Sequence, residues 1–245
     1  MTNQPDLLRK LAAITLLSAF LGTSALYAQR NKENERLENA GTVMVEATRM
    51  PETLPKDLLN RAVCVIVIPS TLRAAFVVGV SYGRGVMTCR TGSSFRGPWG
   101  APSMIALEGG NFGVQVGGQS TDYVLLLMNP RAPRSIMSSK FKIGADAAGA
   151  AITTGRHTAA ATDLFMRSEI LSYSRSRGVF VGVSLEGSTL RPDRLGNVRV
   201  YGRDLSPQQI VLEGKVEPPS SATKLLDLLN TKFPQNKATT AENRP

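Results

Sequence analysis

Residues 76–129 read FVVGVSYGRGVMTCRTGSSFRGPWGAPSMIALEGGNFGVQVGGQSTDYVLLLMN. Val, Ile, Phe and Tyr arrive in short bursts, with a glycine every few positions. β-Branched and aromatic side chains fit a pleated surface, and glycine marks bends, bulges or close backbone approach. The pattern predicts four or five short strands packed into one β-rich core. Ser94–Pro98 reads as a loop between hairpin arms, and Trp99 opens the next arm. Over Gly109–Gly118, Phe112, Val114 and Val116 alternate with Gly113, Gln115 and Gly117, a period of two that puts the apolar set on one face. Asp122–Met128 reads as an apolar strand, ended by the turn signal Asn129-Pro130.

On the N-terminal side of this stretch, Leu37, Ala40, Val43, Met44, Ala47 and Met50 recur at helical spacing, and Pro51 ends the run. Pro55 opens a short helix with Leu58, Leu59 and Ala62 on one face. Val63–Ile68 (VCVIVI) is apolar at every position, the mark of a strand buried on both faces. Pro69-Ser70 bounds it, and Thr71–Ala75 reads as a turn bearing Arg73. On the C-terminal side, Ser135–Ser139 reads as a helical turn. Phe141 and Ile143 alternate with Lys140 and Lys142, a half-exposed strand with a basic outer face. Gly144–Thr154 is rich in small residues and is read as strand. Glu169–Ser176 and Gly178–Leu185 read as further strands. Ser206-Pro207 caps a short helix through Leu212. Ser221 is expected to cap an amphipathic helix carrying Leu225, Leu226, Leu228, Leu229 and Phe233, stopped by Pro234. These elements describe an α+β chain: a single domain with a mainly antiparallel β core and short flanking helices at both ends.

The composition is that of a folded protein: 42% of the 245 residues are hydrophobic and 20% charged, which excludes an intrinsically disordered chain. Twenty-nine basic residues against 19 acidic ones give a net charge of +10, which favours polyanionic partners. Residues 1–28 read as a signal peptide. Arg9 and Lys10 form its basic region, Leu11–Gly22 its apolar run and Ser24–Ala28 its small-residue end. Its removal takes away two basic residues and Asp6, leaving +10 − 2 + 1 = +9. The expected product is exported, either periplasmic or peripheral to the cell envelope. Residues 29–36 read as a flexible linker, 37–234 as the domain and 235–245 as a disordered tail. Cys64 and Cys89 could pair in an oxidising compartment, but both lie in apolar runs, which favours two small buried hydrophobes.

Catalytic signals are thin. Gly79-Val80-Ser81-Tyr82-Gly83 matches the G-x-S-x-G of hydrolase elbows, with Asp122 or Asp146 and then His157 downstream. An elbow needs a strand-to-helix turn at the serine, whereas Gly85–Thr88 continues as strand. One histidine and two apolar-set cysteines do not support a zinc site, and the aspartates lack calcium-loop spacing. The glycine clusters do not have the phosphate-loop form. No nucleic-acid motif appears. The expectation is no cofactor, no metal and no nucleic-acid partner. Arg73, Arg84, Arg90, Lys140, Lys142, Arg156, Arg175 and Arg177 lie in or beside the β core. With the net charge and two amphipathic helices, they are compatible with an anionic-lipid surface, the alternative for each being a solvated basic face.

Ala74–Arg90, Trp99–Ser103, Gly109–Asp122, Ser138–Gly144 and above all Ala161–Leu190 (ATDLFMRSEILSYSRSRGVFVGVSLEGSTL) resemble the SYLF domain family, also described as a lipid-binding or actin-binding domain. The resemblance covers about Leu37 to Leu229. It implies one α+β domain without enzymatic activity that binds phosphoinositides or, in fungal relatives, actin filaments. The SH3 module of eukaryotic relatives has no counterpart in this sequence. The residues expected to meet lipid are Arg73, Arg84, Arg90, Lys140, Lys142, Arg175 and Arg177, assisted by the amphipathic Leu37–Met50 helix. Lys32, Arg36 and Arg49 match the relatives' basic N-terminal segment. The alternatives are a cell-envelope module with a protein partner and, third, a serine hydrolase at Ser81.

Overall fold

The apolar run Val63–Ile68 is the middle of the molecule. It lies in strand β1 (Cys64–Ala75), flanked on one side by β2 (Val78–Cys89) and β3 (Ser103–Phe112) and on the other by β4 (Gly117–Leu127). The structure is a computed structural model that describes residues 29–49, 54–75, 78–112, 117–143, 170–175 and 180–234, with backbone alone over 72–75, 78–80, 110–112 and 117–119. The sheet is completed by β5 (Phe141–Lys142), β6 (Ile170–Arg175), β7 (Phe180–Gly182) and β8 (Thr189–Pro192). Its order is β5-β8-β3-β2-β1-β4-β6-β7, and every pairing is antiparallel.

Both faces of the sheet are covered, which is why β1 has no polar alternation. Val65, Val67, Val86, Val124 and Leu126 pack under helices α1 (29–49) and α2 (Lys56–Arg61), together with Leu225, Leu226 and Leu229 of α6 (Thr223–Lys232). On the opposite face Cys64, Ile66, Ile68, Met87 and Leu125 meet Ala132, Ile136 and Met137 of α3 (Arg131–Ser138) and Ile210 and Val211 of α5 (Pro207–Val211). The chain is thus a single α+β domain, as its sequence pattern indicates.

Several local expectations are corrected. Residues 29–36 are not a linker. They are the first turns of α1, and Glu33 within them is buried at 1% exposure. The stripe Leu37, Ala40, Val43, Met44 and Ala47 is also buried, so α1 spends its apolar face on the domain's own core and not on a membrane. Thr71–Ala75 is not a turn. β1 runs on through Pro69 and Ser70 by means of a bulge, at which its register shifts against both neighbours. Ser70 adopts a left-handed φ of 53° there. The room comes from β2: a Cβ on Gly85 would lie 2.1 Å from the Val67 carbonyl oxygen, and one on Gly83 would lie 2.4 Å from Thr71 Oγ1. Cys64 and Cys89 sit opposite each other in the β1–β2 register and form a disulfide, so they are not two free hydrophobes.

At the C-terminal end, α4 (Arg194–Tyr201) has no counterpart in the periodicity reading. Its signals are caps: Asp193 accepts from the Gly196 N–H at 3.0 Å, and Gly202 ends it at φ 69°. Ser206 and Gln209 form a capping box on α5. Ser221 does not cap α6. It lies in a 3₁₀ turn (Ser220–Ala222), and its hydroxyl meets Asn34 Oδ1 of α1 at 3.2 Å. The readings at residues 1–28, 113–116, 144–154, 156–157, 163, 176–179 and 235–245 lie outside the described residues.

Candidate anion-binding site

The basic residues of the β core divide by what their side chains touch. Arg84 points from β2 under α1. Its Nε donates to Asp193 Oδ2 at 2.6 Å, and it pairs with Glu33 Oε1 at 3.0 Å. Arg199 of α4 reaches the same Glu33 oxygen at 3.2 Å, and Arg36 donates to Oε2. One buried carboxylate thus gathers three guanidinium groups from α1, β2 and α4, and Asp193 shares Arg84. Burial lowers the Arg36 pKa, and the neighbouring positive charge of Arg84 lowers it further.

Arg90 is not on the surface at all. It is 0% exposed, its Nε donates to the Ala62 carbonyl at 3.1 Å and its guanidinium lies 4.5 Å from the centre of the Trp99 ring. Burial brings its pKa down to about 10. A bilayer cannot reach it, so its place among lipid contacts is withdrawn. Arg175 donates to Asp122 Oδ2 at 3.0 and 2.6 Å and to Glu46 of α1, and its guanidinium lies over Phe180. It ties α1 to β4 and β6. Arg73 is placed only by its backbone, opposite Ser81 and Gln119, and Arg177 lies outside the described residues.

Lys140 and Lys142 are exposed, the first after α3 and the second on edge strand β5. They do not join Arg175 in one patch. In the sheet order β5 and β6 are separated by the five strands β8, β3, β2, β1 and β4. Instead they extend a surface that periodicity alone did not single out. Arg131 and Arg134 of α3 are exposed, and Arg134 donates to the Ser93 carbonyl at 2.7 Å, which brings the loop bearing exposed Arg96 alongside. The segments 91–98 and 129–143 contribute five basic side chains to this surface and no carboxylate. Its signal in the sequence is a basic stretch, 129–143, free of acidic residues.

Ser81 sits inside β2, and its hydroxyl meets the Gly109 carbonyl oxygen on β3 at 3.4 Å. It is mid-strand, which is not the strand-to-helix elbow that would raise its nucleophilicity. Among the described residues no three His, Cys, Asp or Glu side chains come together as a metal site.

Residues 108–232 match the profile of the Ysc84 family, described as "Las17-binding protein actin regulator". This chain belongs to the Ysc84 family. The SYLF resemblance read from its motifs is this family. Protein YSC84 of Saccharomyces cerevisiae is 33% identical over 184 residues, covering 74% of this chain and 38% of that protein. LAS seventeen-binding protein 3 of the same yeast is 32% identical, covering 74% of this chain and 39% of its own. The SH3 domain-containing YSC84-like protein 1 of Xenopus laevis is 28% identical over 179 residues, covering 73% of this chain and 52% of its own. This Ysc84-family chain therefore spans about two fifths of the length of the yeast relatives it matches.

Proposed function

We propose that this Ysc84-family domain is a non-enzymatic binding module for anionic lipid surfaces, including phosphoinositide-like headgroups, and that it acts after export from the cytoplasm. The exposed basic side chains of α3, β5 and loop 91–98, whose own segments contain no carboxylate, carry the reading. Each Lys or Arg held near an anionic membrane contributes about 1 kcal/mol, so a few well-placed residues suffice for measurable attachment. Arg84, Arg90 and Arg175 take no direct part, since carboxylates, a carbonyl and aromatic rings already engage them. The buried disulfide suits an oxidising compartment, in keeping with the signal-like residues 1–28.

The test is co-sedimentation with anionic and neutral vesicles across a salt series. Wild type binds the anionic vesicles and releases them as salt shortens the Debye length. Lys140→Glu/Lys142→Glu weakens binding at least roughly thirtyfold, the equivalent of two lost contributions of about 1 kcal/mol. Equal binding to neutral vesicles, or indifference to salt and to the double reversal, refutes the mechanism. A second reading is a protein partner, favoured by relatives whose names describe them as Las17-binding. It predicts binding to a protein that survives the vesicle-null reversal.

A further inference from the structure

The chain has two cysteines, and the β1–β2 register sets them face to face. The Arg90 N–H donates to the Val63 carbonyl at 2.9 Å, so a ladder bond falls on residues 63 and 90. Cys64 and Cys89 are the next pair along, the kind that lies between ladder bonds and holds its side chains closest. Their Cα atoms are 3.9 Å apart. Pairing of two consecutive strands therefore suffices to bring the sulfurs together. Nothing outside residues 64–89 is needed. In the folded domain both cysteines are 0% exposed. Their cover comes from later in the chain: Ala132, Ile136 and Met137 of α3, and Ile210 and Val211 of α5. A Cβ on Gly100 would lie 3.4 Å from the Val211 carbonyl oxygen and 3.7 Å from that of Cys89, so α5 sits close beside the bridged strand.

We infer that the Cys64–Cys89 bridge is a lock set once, by dithiol–disulfide exchange on the open β1–β2 pair, and that the closed domain then shields it from oxidant and reductant alike. One cysteine thiolate attacks a donor disulfide, forming a mixed disulfide and releasing the first donor thiolate. The second cysteine thiolate displaces the other donor sulfur. Two protein thiols are oxidised, the donor is reduced to two thiols, and the protein's two protons pass to it. Each step needs a thiolate in line with a sulfur–sulfur bond, and sulfurs sealed between the sheet and α3 and α5 give no such approach. The donor, a disulfide of a protein or of a small molecule, must therefore act before the cover docks. Chain order leaves room for this, since both cysteines precede residue 90 and the cover starts at Arg131. A chain exported N-terminus first presents its cysteines to the oxidising side ahead of their cover. That timing rests on the export reading above, whereas the shielding rests on burial alone. Before oxidation the unfolded fraction is larger by on the order of a hundredfold, so the chain stays looser until it is locked.

The test follows the bridge by alkylation and mass spectrometry. Oxidised protein is treated with dithiothreitol in native buffer and in urea. Reduction is expected to be at least about a hundredfold slower in native buffer, because it waits for the domain to open. Val211→Ala thins the cover without touching either cysteine. It should speed native reduction severalfold and leave the rate in urea unchanged. Ile136→Val makes the same test with a smaller cut if Val211→Ala does not fold. In the reverse direction, protein reduced in urea is refolded and then given oxidised glutathione, or given it before the urea is diluted. The bridge should form quickly only in the second order of addition. Native reduction as fast as in urea overturns the inference, as does oxidation at equal speed in both orders or native reduction unmoved by both cover variants. The export reading is tested apart, by alkylating the full chain in intact cells. Bridged protein outside the cytoplasm is expected. Free thiols there, or protein retained in the cytoplasm, refute the timing, while the shielding stands or falls on the reduction rates.

Discussion

Glu33 offers the sharpest test of how this domain is assembled. By sequence it belongs to a polar stretch, QRNKENER, that looks dispensable. In the structure it is 1% exposed and accepts from Arg36, Arg84 and Arg199, each about one-fifth exposed. Replacing it by alanine leaves three partly buried guanidinium groups with only Asp193 among them. Removing one partner of a buried pair costs about 3–5 kcal/mol. The arginines retain some water and Asp193 still engages Arg84, so the lower end applies, about 3 kcal/mol. A chain of this size loses about 2–4 °C of melting temperature per kcal/mol, so Glu33→Ala should melt roughly 6–12 °C below wild type. Glu35→Ala, two residues away and exposed, is the control and should lie within about 0.5 kcal/mol of wild type. Thermal melting followed by circular dichroism reads both. If Glu33→Ala and Glu35→Ala melt together, residues 29–36 are the linker their composition suggests, and the packing of α1 described here is wrong.

Gly85→Ala should destabilise by about 1–3 kcal/mol, because the new Cβ would meet the Val67 carbonyl and the Ile68 Cα, which are backbone and cannot swing away. A urea midpoint equal to wild type would contradict the bulge. Reducing the Cys64–Cys89 bridge releases a 25-residue separation, worth about 3–4 kcal/mol on the chain-entropy account and roughly 10 °C in melting temperature. Melts that coincide with and without dithiothreitol would mean the thiols were never joined. Stability should also fall in alkali. Burial raises Tyr173 to about 12 and raises Tyr201 as well, so their contribution is complete below pH 10 and is lost as pH climbs through the folded values. Arg90, lowered to about 10, acts in the opposite sense, but two phenols outweigh one guanidinium. Phenolate absorbance near pH 10, before any unfolding, that is lost in Tyr173→Phe/Tyr201→Phe would show that these two rings are not buried.

Local pattern was enough wherever the physical cause is local. VCVIVI announces a strand covered on both faces because every position is apolar, and Lys140-Phe141-Lys142-Ile143 announces a one-sided edge because its polarity alternates. The heptad-like stripe of α1 shows a helix, and the Ser206–Gln209 pair shows where α5 begins. The family motifs, spread from Ala74 to Leu190, are likewise matters of sequence. What charge does in this protein is not. Glu33, Arg84 and Arg199 are far apart in the chain, and only the docking of α1 over β2 and α4 makes them one network. Arg90 reads as surface charge until Trp99 and the Ala62 carbonyl close over it. Pro69-Ser70 reads as the end of a strand until Gly83 and Gly85, on the neighbouring strand, make room for a bulge. Hydrophobic burial is set by the average environment of a segment, which its own residues encode. Ion pairing and close backbone approach depend on single partners brought from elsewhere, and the tertiary structure alone chooses them.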